Sequence, residues 1–136
     1  MQKSILLKEA VRFHGHLGPY LVLGLLAGGL ALRRLKARKY FGLDVKVFGA
    51  NKRPKSCLVD GLQLSTGATY GKGNIKKYSA KDIKVIIRDC EKNKRVVLTI
   101  KKEIKKTLAS LENHNDSEKF AGELLRKPLQ KIFSIK

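Results

Sequence analysis

The sequence feature that most constrains the fold is the apolar, glycine-rich run over residues 17–32. This run is shorter than the roughly 20 apolar residues that a membrane-spanning helix needs, so it predicts a buried helix. Pro19 suits the first turn of a helix, and the pattern predicts that this helix covers residues 19–37. Gly24 and Gly28 lie on one face of it, and each glycine costs about 1 kcal/mol in a helix interior. They therefore predict that another backbone packs closely here, in a core crossing or at a dimer interface.

The rest of the chain alternates between helical and strand-like patterns without a βαβ rhythm. Apolar periodicity predicts further helices over residues 4–13, 57–66, 101–111 and 117–125. Alternation of apolar and charged residues predicts strands over residues 44–48, 83–89, 95–100 and 132–135. The polar segment 113–116 predicts a loop. Together these patterns predict the α+β class, an antiparallel sheet packed with helices, in a single domain over residues 1–136.

The charge balance is strongly basic, with 30 Lys and Arg against 11 Asp and Glu and a net charge of +19. Such a charge attracts polyanions. The lysines are nevertheless dispersed, aromatic residues are sparse, and no RNA-recognition motif occurs. Nucleic acid is therefore an alternative partner that we do not favour. Lysine enrichment is also typical of heat-adapted protein surfaces, which is the interpretation that we prefer.

The start of the chain and its cysteines bear on localisation. Residues 1–12 form a charged amphipathic stretch without the small-residue cleavage site of a secretory leader. Two cysteines, Cys57 and Cys90, are more typical of a reducing compartment than of a disulfide scaffold. These features predict a cytoplasmic protein with no membrane association.

The first candidate for chemistry is the pair His14 and His16, which flank Gly15 just before the long helix. Side chains at i and i+2 face the same way only on an extended backbone, and Gly15 permits an unusual conformation. Neutral imidazole is a frequent metal ligand. Taken alone, such a pair is more often composed of surface or capping histidines.

The second candidate is Cys57 with Asp60, one turn apart on a predicted helix, where Gly61 leaves room beside them. A thiolate is a strong ligand for zinc. Alternatively, Cys57 is a small buried apolar residue and Asp60 an ordinary surface carboxylate. Cys57 paired with a histidine would also suit nucleophilic catalysis. His114, in the polar segment 113–116, is expected to lie in solvent.

The third candidate is a glycine-rich turn whose backbone N–H groups and lysine predict an anion-binding site. It departs from the phosphate-binding Walker loop because a glycine follows the lysine, where Ser or Thr is needed. A purely structural turn is the alternative, which we favour slightly. The residues concerned are Thr69, Gly71, Lys72, Gly73 and Asn74.

In this order, the three segments resemble the signatures of the FmdE family of formylmethanofuran dehydrogenase proteins. The motifs are F-H-G-H-L-G-P from Phe13, C-x-x-D-G-x-Q from Cys57, T-G-A-T from Thr66 and G-K-G-N from Gly71. The resemblance covers roughly residues 5–100. It implies an α+β domain, often dimeric, with the fold seen in the catalytic domain of glyceraldehyde-3-phosphate dehydrogenases.

The resemblance also implies a bound transition metal, commonly zinc, held by the signature residues. In this chain these are His14, His16 and Cys57, with Asp60 as a fourth ligand or as the partner of a ligand. Many members have cysteines where this chain has Gly18 and Ala68. Two soft ligands are therefore missing, and a metal site with fewer protein ligands and an open position is expected. Some members carry a C-terminal zinc ribbon, whereas no C-x-x-C pair occurs here.

The family takes its name from its place beside a molybdenum or tungsten enzyme of methane-forming archaea, which fixes carbon dioxide onto methanofuran. The resemblance therefore implies an accessory or stand-alone metal-binding protein, a homodimer that associates with such an enzyme and is not itself the catalyst. Two alternatives stay open. One is a small enzyme that uses an open metal position or Cys57 on an anionic substrate held near Lys72, and the other is a basic nucleic-acid-binding protein.

Overall fold

A computed structural model describes residues 3–136, with side chains from Leu6 onward. Met1 and Gln2, which the single-domain and leader predictions include, lie outside the described residues. The helices are α1 (Lys3–His14), α2 (Pro19–Leu35), α3 (Cys57–Thr66), α4 (Lys102–Ser110), α5 (His114–Arg126) and α6 (Leu129–Ile132). The strands are β1 (Leu43–Phe48), β2 (Ile75–Tyr78), β3 (Lys84–Asp89), β4 (Lys94–Ile100) and β5 (Phe133–Ile135). The predicted α+β class is confirmed.

The five strands form one sheet in the order β2-β1-β3-β4-β5. The pairs β1–β3, β3–β4 and β4–β5 are antiparallel, as predicted. β1 and β2 instead run parallel, with Val45 opposite Ile75, so the antiparallel description holds for most of the sheet only. Alternate residues such as Val45, Ile87 and Leu98 are buried in the core that the sheet shares with the helices.

The glycine face of α2 packs against α3 in the core. A Cβ atom added at Gly24 would lie 2.1 Å from the carbonyl oxygen of Leu58, and one added at Gly61 would lie 2.2 Å from that of Leu21. At Gly28 it would lie 1.8 Å from Ser65 Oγ. Since real Cβ atoms do not approach other atoms so closely, these glycines permit the two helices to touch. Of the two arrangements that the sequence left open, the structure shows the core crossing.

The structure differs from the local predictions at three places. The strand predicted over residues 132–135 begins at Phe133, because Ile132 ends the short helix α6. β2 was missed because it is a short edge strand in which only Ile75 is buried, and lysines occupy its middle. The predicted loop over residues 113–116 is the first turn of α5. Asn113 caps this helix, since its side chain accepts a hydrogen bond from the backbone N–H of Asp116 at 2.9 Å.

The helices are also informative about membranes. Within residues 3–136, no helix combines the length and apolar character needed to cross a bilayer. The run over residues 17–32 is used instead in α2, most of which is buried inside the domain.

Candidate metal centre

Three chain segments bring the predicted site residues together. α1 ends at His14, a glycine turn with Gly15 at φ +105° follows, and α2 begins at Pro19. α3 begins at Cys57 and carries Asp60 in its first turn. The end of α1 thereby lies beside the start of α3, and this contact joins residues that are far apart in sequence.

The two ring nitrogens of His14 have different surroundings. Nδ1 donates a hydrogen bond to Asp60 Oδ2 at 2.6 Å, because a carboxylate can only accept. Nε2 is buried and has no hydrogen-bond partner among the described residues, and the side chain as a whole is 11% exposed. In a neutral imidazole with its hydrogen on Nδ1, Nε2 carries a lone pair. Asp60 therefore orients a buried nitrogen donor.

His16 stands next to His14, with the ring centroids 4.7 Å apart. Its ring lies over Gly18, where an added Cβ atom would be 3.3 Å from His16 Nε2. The pKa of His16 is lowered, first by its partial burial and then by the neighbouring His14 and His114. This lowered pKa favours the neutral ring, the state in which imidazole binds metals.

Cys57 is half-buried and free, and it lines a cavity of about 210 Å³ together with His14 and His16. Burial raises the pKa of its thiol, Asp60 raises it further, and Arg53 acts in the opposite direction. A nucleophilic cysteine needs a lowered pKa, so this environment does not favour the alternative of cysteine catalysis. A bound cation would favour the thiolate.

The residues fit a metal in donor type but are not preassembled around one. Within residues 3–136, no three histidine, cysteine or acidic side chains already form a metal cluster. The feature that suits a metal is the unpartnered Nε2 of His14, since carboxylate–histidine pairs of this kind are typical behind metal ligands. Because the ring of His16 is exposed, it can turn towards that nitrogen.

The structure adds one residue to the site that sequence reasoning placed elsewhere. His114, expected in a solvent loop, lines the same cavity, and its ring centroid lies 5.7 Å from that of His16. The only local signal for this position was the N-cap pattern of Asn113 and Asp116, which would have placed His114 at a helix start. Nothing in the sequence indicated that this helix start lies beside His16.

Ala68 and Gly18, where many family members carry cysteines, occupy different environments. Gly18 lines the cavity, whereas Ala68 is 0% exposed within the hydrophobic core. In this chain the second position is therefore part of the packing around α2 and α3.

None of the residues of the glycine-rich turn lines the cavity of the histidines. Most of its backbone N–H groups already donate hydrogen bonds within the protein. Thr69 N–H donates to Asn74 Oδ1, Lys72 N–H donates to Thr69 Oγ1, and Gly73 N–H donates to the carbonyl oxygen of Thr69. The ammonium of Lys72 donates to the carbonyl of Gly67 and lies 4.8 Å from the centroid of the Phe41 ring. Anion binding by this turn stays a prediction, and an anion would have to compete with these contacts.

A larger cavity, of about 670 Å³, lies at the other end of α2 and is lined by residues that include Lys36, Phe41 and Glu91. It contains none of the predicted site residues. Size alone therefore does not locate the candidate site, whereas the convergence of two imidazoles, a thiol and a carboxylate does.

Fold and site together define a class: an α+β domain with a histidine–cysteine cluster between the ends of its helices. Comparison with known families identifies the family within this class. The family model described as FmdE, of the molybdenum formylmethanofuran dehydrogenase operon, matches residues 13–135. The chain belongs to the FmdE family, as the motifs predicted.

A curated relative is similar over a shorter region. A probable S-adenosyl-L-methionine-binding protein of Archaeoglobus fulgidus is 34% identical to this chain over 74 residues, which is 52% of this chain. The matched region is only 19% of the relative, so the chain spans a small part of that longer protein.

Proposed function

We propose that this protein is a metal-binding accessory protein of the FmdE family, with zinc as its most suitable metal. The observation that carries the proposal is the buried Nε2 of His14, which lacks a partner among the described residues while Asp60 binds the other ring nitrogen. A buried nitrogen acceptor without a partner is costly, and a metal ion would remove that cost.

The roles of the residues follow from their chemistry. His14 and His16 supply neutral nitrogen donors, and Cys57 supplies a thiolate once its proton is released. Asp60 holds the ring of His14 in one orientation and one tautomer, acting through the ligand. When bound, zinc would supply structural cross-linking or, at an open position, Lewis acidity.

The accessory role is supported by the family's operon and by composition. The 2 cysteines of the chain are fewer than the four that hold a [4Fe–4S] cluster. We therefore infer a protein that acts beside a molybdenum or tungsten enzyme in one-carbon metabolism, itself a homodimer. Co-elution of the purified protein with such an enzyme in size-exclusion chromatography would test the association, and light scattering of the protein alone would test the dimer.

The metal itself is tested on anaerobically purified protein by elemental analysis and by competition with a chelating dye. We expect about one zinc per chain, with weaker binding in His14→Ala and Cys57→Ala. Cys90→Ala is the matched control, because Cys90 is also a free cysteine but lies outside the cavity. Wild-type protein that binds no transition metal would refute the proposal.

A further inference from the structure

His114 lies opposite the two signature histidines. It is the first residue of α5, held at the helix start by the Asn113 cap. Its ring is exposed to the cavity and meets the ring of His16 edge to face, with an interplanar angle of 89° and a centroid distance of 5.7 Å. Neither its place in the sequence nor the family signatures assigns it a role.

The two ring spacings at His16 are close to those of imidazoles that share a metal. Two imidazoles that bind one zinc through nitrogens at about 2.0–2.1 Å have ring centroids roughly 5–6 Å apart. The observed distances are 4.7 Å for His14 to His16 and 5.7 Å for His16 to His114. The rings of His16 and His114 are exposed, so both can rotate about their side-chain bonds towards a metal bound at His14.

The two positions at which many family members carry cysteine offer no donor beside His16 in this chain. At Gly18 there is no side chain, and the His16 ring occupies the adjoining space. Ala68 is buried in the core and does not line the cavity. Thus the side chains nearest to His16 in the cavity include His14 and His114, and His114 approaches from a separate helix.

We propose that His114 is a third imidazole ligand of the metal site, supplying the donor that Gly18 does not. This inference rests on the proposed metal-binding function and extends it. The ligand set becomes three imidazoles with Cys57, which is suited to borderline divalent metals such as zinc, cobalt and nickel. The metal would then connect the start of α5 with the last residue of α1 and the first residue of α3.

Cobalt(II) titration followed by visible absorption, with zinc competition against a chelating dye, tests this ligand. We expect His114→Ala to lower zinc affinity at least tenfold and to change the cobalt spectrum. Asn115→Ala, at the neighbouring exposed position of the same helix turn, is the matched control and should bind like wild type. His114→Cys should recover most of the affinity and add thiolate-to-cobalt absorption.

The outcomes separate the two proposals. If wild type binds metal and His114→Ala binds it with the same affinity and cobalt spectrum, the role of His114 is refuted while the metal-binding function stands. If wild type binds no metal, both are refuted. Circular dichroism of each variant confirms that α5 still forms, so that a loss of affinity reports the ligand and not the fold.

Discussion

At the scale of single residues, His14 is the most constrained side chain of the site. Its Nδ1 is engaged by Asp60 at 2.6 Å, and its Nε2 is buried without a partner among the described residues. The two ring nitrogens of His14 are thus distinct. Nδ1 is bonded to the Asp60 carboxylate, whereas Nε2 is without a partner on a side chain that lines the cavity. It is the arrangement by which proteins orient histidine ligands and raise their basicity.

Replacing the carboxylate behind the ring should weaken metal binding without removing a ligand. We expect Asp60→Asn to lower zinc affinity roughly 10–100-fold, the range found when such partners of ligands are changed. Competition with a chelating dye measures the effect. Asp44→Asn, on β1 and outside the cavity, should leave the affinity unchanged. Equal affinities of Asp60→Asn and wild type would show that Asp60 is only a structural partner of His14.

The two positions where family members often carry cysteine should respond differently to its restoration. Gly18 has an extended backbone, with φ −136° and ψ 159°, so its backbone angles accept a side chain, and the exposed His16 ring, 3.3 Å from an added Cβ atom, would turn aside. In a His114→Ala background, which leaves one ligand position open, we expect Gly18→Cys to tighten zinc binding about tenfold, or about 1.4 kcal/mol. Ala68→Cys should not tighten binding, because that side chain is buried in the core. A stronger effect at Ala68 would contradict this assignment of the cavity wall.

The thiol of Cys57 should be slow to react in metal-free protein. Its pKa is raised by burial and by Asp60, so the reactive thiolate is scarce at pH 7 and increases only as pH rises through the elevated pKa. In a Cys90→Ser background, we expect slow alkylation by iodoacetamide at pH 7 and faster alkylation above pH 9. Rapid alkylation well below pH 8 would instead favour the alternative of a cysteine-dependent enzyme.

At the scale of secondary-structure elements, the crossing of α2 and α3 positions the site. Gly24 and Gly61 face one another across this contact, and neither can carry a Cβ atom without colliding with a backbone atom. Because Cys57 and Asp60 lie in the first turn of α3, the crossing also fixes their position relative to α2.

A methyl group at Gly24 should therefore cost stability although alanine favours helices. The added Cβ atom would lie 2.1 Å from Leu58 O, and we expect Gly24→Ala to lower the free energy of unfolding by about 2 kcal/mol, after allowing for the gain in helix propensity. Gly29→Ala, in the same helix, meets only the Arg33 side chain at 3.4 Å and should raise it by up to about 1 kcal/mol. Urea unfolding measures both, and equal effects would contradict the close crossing.

At the scale of the whole molecule, the net charge of +19 is poorly balanced by ion pairs. Among the side chains from Leu6 onward, Lys105–Asp82 is the one ion pair between a lysine or arginine and a carboxylate. Most lysines thus face solvent without a carboxylate partner, and their mutual repulsion opposes the folded state.

Salt should stabilise such a molecule. Between 10 and 150 mM NaCl the screening length falls from about 30 Å to about 8 Å, and we expect the free energy of unfolding to rise by an amount on the order of 1 kcal/mol. Unfolding in urea, which is uncharged, measures this. Lys77→Glu on the exposed edge strand β2 should reduce the dependence on salt. Stability that falls with salt would mean that attractive pairs dominate.

Local patterns in the sequence determined most of the elements and the family. Helix α3 was predicted with its observed bounds. Its apolar period indicates the helix, and Gly67, at φ +77°, indicates where the helix ends. The strands β3 and β4 and the helix that begins at Pro19 were also predicted from local patterns, in apolar alternation and in an apolar run that follows a proline. The order of the histidine, cysteine and glycine motifs was sufficient to identify the FmdE family, which the match over residues 13–135 confirmed.

Contacts between distant segments were decided only by the tertiary structure. Three such contacts are the hydrogen bond from His14 to Asp60, the approach of His114 to His16 and the parallel pairing of β2 with β1. In each case, the local sequence around one partner does not indicate which residue the other partner is. They depend on how closely α2 and α3 cross and on where α5 packs. Sequence periodicity states which face of an element is buried, but the packing of the whole core determines which side chains meet there.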